Sequence, residues 1–285
     1  MKKTNNFGTH PSHKMRGARW AITALLLLYS LIAIFLIGNT ILSSFKTKSD
    51  LINNMVGIPE KFTMQNYHTV LIEEHFGRYF FNSVVLVSVS LVCLIAVASM
   101  AAYGLVQYEF KGRGVLQAYF LVGLMFPIQL GILPIFIMMT KLHLNNTLPG
   151  MILIYTANLS FSVFVFSNFF KGIPISLIES ARIDGGSEFR IFLSIVLPIS
   201  KPVISTVGLL SFVQLWNDFF MPLVFLTKKN VRTLTLAVYS YTADFLANWD
   251  KIFAAVTFAL IPIILVYILF SEQIVAGLTG GAVKE

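Results

Sequence analysis

Six long stretches with almost no charged residues dominate this chain of 285 residues. A helix needs roughly 20 mainly apolar residues to cross a bilayer, and only helices and closed barrels satisfy their backbone hydrogen bonds in lipid. The alternation over about ten residues that marks barrel strands is absent. The sequence therefore predicts an all-α polytopic membrane protein with six transmembrane helices, taken from residues 20–45, 79–108, 114–140, 142–170, 202–227 and 252–271.

The composition agrees with a protein embedded in membrane lipid. Charged residues make up 12% of the chain, whereas a typical soluble domain has about 25%. The single cysteine, Cys93, lies inside a predicted span, which excludes a disulfide framework. The net charge of +8 comes largely from basic residues that flank the spans. This placement indicates membrane topology rather than nucleic-acid binding.

Basic residues also set the predicted orientation. The N-terminal tail, residues 1–19, carries five Lys and Arg residues and no acid, so the positive-inside rule places it in the cytoplasm. Six spans return the C-terminal tail, residues 273–285, to the same side. The basic loop 228–232 would then lie outside, against the rule. We give the N-terminal cluster more weight because the first helix usually dominates orientation.

The predicted organisation is one membrane core without a soluble domain, an internal repeat or a low-complexity tract. The first transmembrane helix is expected at residues 20–42 and an extracytoplasmic loop at 43–78. The transmembrane core then covers residues 79–272. Within it, the charged segment 171–201 is expected to face the cytoplasm.

The charged segment predicts a short helix that starts just after the fourth span. Pro174 prevents the preceding helix from running on. Ser176 followed by Glu179 fits a capping box, and the helix would continue to about Asp184. Gly185 would end it, because glycine tolerates the left-handed backbone that often follows a helix.

A second helix is predicted directly after the glycine. Ser187 would cap it, Glu188 is favourably placed in its first turn, and Pro198 would break it. The result is a helix–turn–helix elbow whose polar side chains are available to a partner: Arg182, Asp184, Glu188 and Arg190.

Two interpretations of the elbow are open, a docking site for a protein partner and an amphipathic helix lying on lipid. Interfacial helices usually carry Lys and Arg on their polar face. Residues 179–190 hold three acids and two bases, so attraction to anionic lipid is weak and docking is favoured.

The spacing within this segment matches a specific pattern. E-x-A is followed after three residues by glycine, and after nine more residues by I-x-L-P. The residues at these positions are Glu179, Ser180, Ala181, Gly185, Ile195, Leu197 and Pro198. The segment resembles the cytoplasmic EAA loop of the membrane subunits of bacterial ABC importers, with serine in place of the first alanine.

Further features resemble the carbohydrate branch of that family, and within it the smaller maltose-type permease. They are the Asp-Gly pair at 184–185, the Trp-Asn-Asp triplet at 216–218, the Pro-Leu pair at 222–223 and the ending 277–284. The resemblance covers nearly the whole chain. It implies the type I ABC importer permease fold in a bacterial cell membrane, and transport of a sugar or oligosaccharide.

The resemblance implies that the elbow is a coupling helix seated in a groove of a cytoplasmic ATPase. It also implies three partners, namely a second homologous permease subunit, an ABC ATPase dimer and an extracytoplasmic sugar-binding protein. ATP and Mg²⁺ would bind the ATPase, so this chain would need no cofactor and would not be an enzyme. The residues implied to make or shape the coupling contact are Glu179, Ser180, Ala181, Asp184, Gly185, Ile195, Leu197 and Pro198.

The motifs that are missing agree with a transport subunit. The chain has no G-x-x-x-x-G-K-[ST] phosphate loop. It also lacks the H-E-x-x-H and G-x-S-x-G motifs of zinc proteases and serine hydrolases.

Asp218 is the one acid inside an apolar run. Intramembrane acids mark functional sites by default, and Trp216 and Asn217 add an aromatic face and an amide suited to a sugar. These three residues are a candidate substrate path. Alternatively, Asp218 lies near the outer interface, forms hydrogen bonds within the bundle or couples an ion, although a proton relay usually needs further intramembrane acids.

Two alternative functions remain at this point. One is the same architecture serving a solute that is not a sugar. The other is an ion-coupled secondary transporter that works alone. Such a transporter should have inverted repeats with broken helices, and the sequence gives no sign of either.

Overall fold

The structure is a computed structural model. It describes the backbone of residues 13–244 and 248–280 and the side chains of residues 19–242 and 248–270. Most of the basic N-terminal tail and the last five residues of the predicted C-terminal tail lie outside the described residues. Within the described residues the chain forms helices and turns and contains no strand.

Three helices are each long and apolar enough to cross a membrane. These first, second and sixth spans are His13–Ser43, Phe76–Gln107 and Trp249–Gly280. Three further pairs of helices qualify only when they are joined across a bend: Arg113–Gly123 with Ile128–Lys141, Leu148–Ala157 with Ser160–Phe170, and Glu188–Ile199 with Lys201–Asn217. The first two pairs are the third and fourth spans, and Lys201–Asn217 begins the fifth. The prediction of an all-α protein with six spans agrees with this count.

The first and sixth transmembrane helices extend beyond their predicted bounds. The first helix begins at His13, within the expected tail 1–19, and ends at Ser43. The sixth helix runs on to Gly280, past residue 272, where we expected the C-terminal tail to begin. The length of an apolar stretch predicts only the part of a helix that lies in the hydrocarbon core of the membrane. A helix continues into polar residues until a breaker stops it.

The third span, in which Pro127 and Pro134 predict a kink, is bent by 101°. Its first half ends at Gly123, and Pro127 precedes the 3₁₀ turn Ile128–Gly131. Proline has no N–H to donate to the preceding turn, so the helix stops there. Gly123 packs tightly against the fourth span, because a Cβ at this position would meet Ser160 Oγ at 2.3 Å.

The fourth and fifth spans are also interrupted. In the fourth, Asn158 separates Leu148–Ala157 from Ser160–Phe170, and the two halves are bent by 46°. In the fifth, the helix stops before Asp218, which has an extended backbone, and resumes at Phe220–Phe225. Broken helices are therefore present. The expected lack of them, used above against a lone secondary transporter, was wrong.

The second span runs through both apolar clusters of the protein. With 32 residues it is about 48 Å long. One cluster surrounds its start and includes Phe76, Leu86, Tyr155, Trp216 and Leu234. The other surrounds its end and includes Ala98, Tyr103, Phe166, Ile178 and Val196. We call these two ends of the molecule the loop end and the elbow end. The first span, in contrast, exposes most of its apolar side chains, as expected of a helix facing lipid or another membrane protein.

The segment 43–78, predicted as a loop, is a folded cap at the loop end. It contains the helices Lys48–Asn53 and Gln65–His68 and the π turn Thr69–Glu73. Two charged residues are buried in it. Lys46 Nζ donates to the Asn54 carbonyl at 2.6 Å, and Asp50 Oδ2 accepts from a backbone N–H at 3.0 Å. These internal hydrogen bonds order the segment. Its balanced charges alone had predicted only a loop.

Glu74 connects this cap to the sixth span. Lys251 Nζ donates to Glu74 Oε1 at 2.6 Å, and the Tyr241 hydroxyl donates to Oε2 at 2.5 Å. Tyr241 stacks on Phe76 with ring centroids 5.5 Å apart. Burial raises the pKa of Glu74, but the hydrogen bonds from Lys251 and Tyr241 and the charge of Lys251 outweigh it, so the pKa is lowered overall.

Acidification should remove the stabilisation that Glu74 provides. Its pKa is lower in the folded protein, so the stabilisation is complete above the ordinary glutamate pKa of about 4.3 and is lost as the pH falls through the folded value. Glu74→Gln should lower the stability of the purified protein at pH 7 by about 1 kcal/mol. Melting temperatures of variant and wild type in detergent should converge below about pH 4.

The matched control for this experiment is Glu73→Gln. Glu73 pairs with His68 at 3.3 Å, and both side chains are more than half exposed, so this variant should melt like the wild type at every pH. A difference between Glu74→Gln and wild type that stays constant from pH 7 to pH 3.5 would contradict the assignment of the stabilisation to an ionised Glu74.

Candidate functional site

The predicted elbow is present, and its first helix is Ile175–Ile183. Gly185 has a φ of +81°, the left-handed conformation expected after the helix. The predicted capping box is wrong. Pro174 occupies the N-cap position and no side chain caps the helix, so Ser176 lies within the first turn. Proline has no side-chain oxygen that could accept a hydrogen bond from the first turn, so the helix starts without a side-chain cap.

The second helix of the elbow begins at Glu188, after Ser187. Ser187 is at the N-cap position as predicted, but its side chain makes no capping bond. The helix does not break at Pro198 and continues to Ile199, so the chain turns at Ser200. The π turn Phe192–Val196 explains this. Its hydrogen bonds join residues five apart instead of four, so the helix continues past Pro198, which has no N–H to donate.

The structure divides the residues of the elbow motif between a tip and a base. The tip, residues 183–189, projects from the protein and exposes two large apolar side chains, with Ile183 86% and Phe189 64% exposed. Asp184 is exposed within the tip, and Glu179 and Ser180 are exposed beside it. The base consists of Ile178, Ala181, Ile191, Phe192, Ile195, Val196 and Leu197, which are buried in the elbow-end cluster or pack against it. Pro198 lies exposed at the rim of this base.

Two of the four polar residues that we expected to be free for a partner are paired with each other. Arg182 Nε donates to Glu188 Oε1 at 2.6 Å. This pair could not be predicted from the sequence, because the two residues lie on different helices of the elbow. Asp184 and Arg190 remain exposed.

A second polar region lies where the interruptions of the third, fourth and fifth spans meet. These breaks surround a cavity of about 210 Å³. Non-helical backbone at membrane depth is tolerated only where it is buried in protein or lines a water-filled cavity. The polar side chains around this cavity are Gln129, Tyr155, Asn158, Gln214, Asn217 and Asp218.

Asp218 lines the cavity and also stabilises its wall. The Tyr155 hydroxyl donates to Asp218 Oδ2 at 2.9 Å. Oδ1 accepts the backbone N–H groups of Phe220 at 2.9 Å and Met221 at 3.3 Å. Asp218 therefore caps the last helix of the fifth span, which agrees with the interpretation that it forms hydrogen bonds within the bundle. Asn217 is exposed on the cavity wall, and its amide donates to the Val213 carbonyl at 2.9 Å.

Trp216 points away from the cavity. Its side chain is 4% exposed and lies in the loop-end cluster. Nε1 donates to the Ala259 carbonyl at 3.3 Å, and the ring stacks on Phe212 with centroids 5.7 Å apart. Of the predicted triplet, the structure therefore brings Asn217 and Asp218 to the cavity and places Trp216 in the core.

The sequence analysis missed three amides of the cavity, Gln129, Asn158 and Gln214. Each is an amide within an apolar run. Polar side chains within spans usually face the interior of the bundle, and this signal was sufficient to find them one by one. It was not sufficient to show that they meet.

Comparison with known families decides what this fold is. The family of inner membrane components of binding-protein-dependent transport systems matches residues 94–279. The chain belongs to this family. The matched stretch contains the elbow and every residue that lines the cavity. A transporter that works without partners, the alternative left open by the sequence, does not agree with membership of a binding-protein-dependent family.

Individual relatives cover almost all of this permease. The diacetylchitobiose uptake system permease protein NgcG of Streptomyces coelicolor is 33% identical over 264 residues, which is 92% of this chain and 87% of the relative. The arabinooligosaccharides transport system permease protein AraQ of Bacillus subtilis is 33% identical over 271 residues, which is 93% of this chain and 96% of the relative.

A solved structure establishes the fold of the permease. It is the crystal structure of a bacterial ABC transporter involved in the import of the acidic polysaccharide alginate. One of its chains matches this one with a TM-score of 0.80 at 23% identity, over 92% of this chain and 98% of that chain. The fold is therefore the type I ABC importer permease fold predicted from the sequence.

Proposed function

We propose that this chain is the membrane-spanning permease subunit of an ATP-driven importer for a sugar or oligosaccharide delivered by an extracytoplasmic binding protein. The observation that carries the proposal is the elbow, whose hinged tip exposes Ile183 and Phe189 at one end of a membrane protein. Exposed apolar residues outside the lipid mark a binding surface. Two relatives that cover more than nine tenths of the chain are named for oligosaccharide transport, which supports the choice of substrate.

In this proposal the elbow faces the cytoplasm and docks on an ABC ATPase. Both tails are then cytoplasmic, and the cap and the basic loop 228–232 lie outside. ATP and Mg²⁺ bind the ATPase dimer, and this chain carries out no catalysis of its own. Glu179, Asp184 and the apolar tip make the contact, while Ile195 and Leu197 hold the base in the elbow-end cluster.

The cavity supplies this subunit's part of the sugar path. Its amides, its carboxylate and the Tyr155 hydroxyl offer hydrogen-bond donors and acceptors that match the hydroxyl groups of a sugar. In this proposal a second homologous permease subunit faces the cavity and completes the path.

The experiment that tests this function starts from the complex purified from source cells through a tag on this chain. After reconstitution into proteoliposomes, labelled oligosaccharides should enter only when ATP is present on the elbow side and binding protein on the cap side. Uptake by this chain alone, uptake driven by an ion gradient, or uptake of a solute other than a sugar would each contradict the proposal.

A further inference from the structure

The turn of the elbow is closed by an ion pair. Arg182, near the end of the first helix, donates from Nε to Glu188 Oε1 at 2.6 Å and from Nη2 to Oε2 at 3.3 Å. Glu188 begins the second helix. Two parallel bonds between a guanidinium and a carboxylate fix the relative orientation of the groups that carry them. The pair therefore spans the glycine turn and joins the two helices.

The same carboxylate also joins the elbow to the second span. The Tyr103 hydroxyl, near the end of that span, donates to Glu188 Oε2 at 3.0 Å. Tyr103 is 6% exposed, and its ring lies 5.3 Å from that of Phe192 in the base of the elbow. Glu188 thus holds three helices at one point.

Among the described side-chain hydrogen bonds, this one joins the tip to the second span. Ile178 is the last fully buried residue of the first elbow helix. Beyond it the turn is closed by backbone hydrogen bonds, from the Gly186 N–H to the Ala181 carbonyl at 2.9 Å and from the Gly185 N–H to the Arg182 carbonyl at 3.0 Å. These bonds join the turn only to the first elbow helix, and Glu188 adds the link to the second span.

We propose that Glu188 is a positioning residue for coupling, which makes the elbow tip and the second span move as one body. The inference rests on the proposed docking of an ATPase on the tip. A displacement of the tip then passes through Glu188 to Tyr103 and along the second span, which packs against the fourth and fifth spans around the cavity. We call Arg182, Glu188 and Tyr103 the Glu188 clamp.

Loss of the clamp should impair coupling without unfolding the protein. The Arg182 and Glu188 side chains are 35% and 41% exposed, and ion pairs this exposed contribute little to stability. In the reconstituted complex, Glu188→Gln should lower the sugar taken up per ATP hydrolysed by about tenfold, the ratio that loss of one charge-assisted hydrogen bond produces. Glu109→Gln is the matched control, because it is the same substitution at an exposed acid that follows the second span and lies outside the elbow, and its ratio should stay at the wild-type value.

Charge exchange separates the clamp from a direct contact between Glu188 and the ATPase. Arg182→Glu and Glu188→Arg should each uncouple the complex. The double variant should recover most of the wild-type ratio, because it rebuilds the pair while reversing every charge that a partner could meet. Wild-type coupling in Glu188→Gln, or a double variant no better than the single ones, would overturn the proposal.

Hydrogen exchange of this chain tests the clamp without any ATPase. In Glu188→Gln the amides of residues 183–190 should exchange about tenfold faster, since a local tie lost from the turn lowers its protection, and the double variant should restore slow exchange. Unchanged exchange overturns the clamp. A wild-type complex that shows no uptake dependent on ATP, with exchange that still responds to Glu188→Gln, would overturn the proposed function and the coupling role but retain the clamp.

Discussion

Gly185→Val should uncouple ATP hydrolysis from sugar uptake while the protein remains in the membrane. Gly185 has a φ of +81°, and a β-branched residue is strongly disfavoured there because its Cβ meets the backbone. No other atom lies within 4 Å of the new Cβ, so the cost is local backbone strain of about 1–2 kcal/mol. The turn would relax and move the tip. We expect uptake per ATP hydrolysed to fall by more than about tenfold, since about 1.4 kcal/mol corresponds to tenfold.

Two controls show whether this effect belongs to the elbow. Asn tolerates the left-handed region better than valine, so Gly185→Asn should retain most of the coupling. Gly112 has a φ of +93° and also no atom near its Cβ, but it precedes the third span. Gly112→Val should therefore leave the coupling ratio unchanged. Full uptake with normally stimulated ATPase activity in Gly185→Val would contradict docking of the elbow.

The elbow was predictable because local signals define it. Pro174, Gly185 and the apolar spacing around them act on their own neighbours, and the structure retains two helices separated by a glycine turn. The details of the helix ends were less predictable. A start at Ile175 carried Ser176 past the capping position, and a π turn carried the second helix through Pro198. A shift of one residue in the start of a helix decides whether a capping bond forms. Sequence patterns do not determine helix ends that finely.

Hydropathy could not show how sharply the spans bend, because it measures how apolar a stretch is and not its direction. The run 114–140 is apolar on both sides of a 101° bend. Pro127 was visible in the sequence, but membrane helices often contain proline without breaking. The tight packing of Gly123 on Ser160 involves two different spans, and no local pattern reports such a contact.

The cavity could be predicted only in part, and the Trp-Asn-Asp triplet shows why. Neighbours in a helix point about 100° apart, so Trp216 turns into the core towards Ala259. The helix then ends, and the extended backbone at Asp218 turns its carboxylate towards Tyr155. Adjacent residues thus have separate surroundings, while Asn158, 60 positions away in the chain from Asp218, shares the same cavity.

Asn158→Trp should block transport by filling this cavity. Asn158 interrupts the fourth span with a φ of −78°, so a residue with a Cβ does not have to enter the left-handed region that favours glycine. A large ring here would occupy the space between the fourth and fifth spans while Asp218 keeps its capping bonds. We expect uptake to fall to about 1% of wild type, as a built-in clash of this size excludes the ligand. Assembly with the ATPase and ATP hydrolysis should persist, because the elbow lies at the far end of the second span.

The matched control is Asn168→Trp, the same substitution ten residues along the same span. Asn168 is exposed and lines a separate groove of about 330 Å³ beside Gln117 and Lys171. That variant should transport normally. Normal uptake in Asn158→Trp with loss of uptake in Asn168→Trp would move the path from the cavity to this groove.

An uptake that follows a proton gradient in the wild type and loses that dependence in Asp218→Asn would instead make Asp218 an ion site, because only the ionisable group has then been removed.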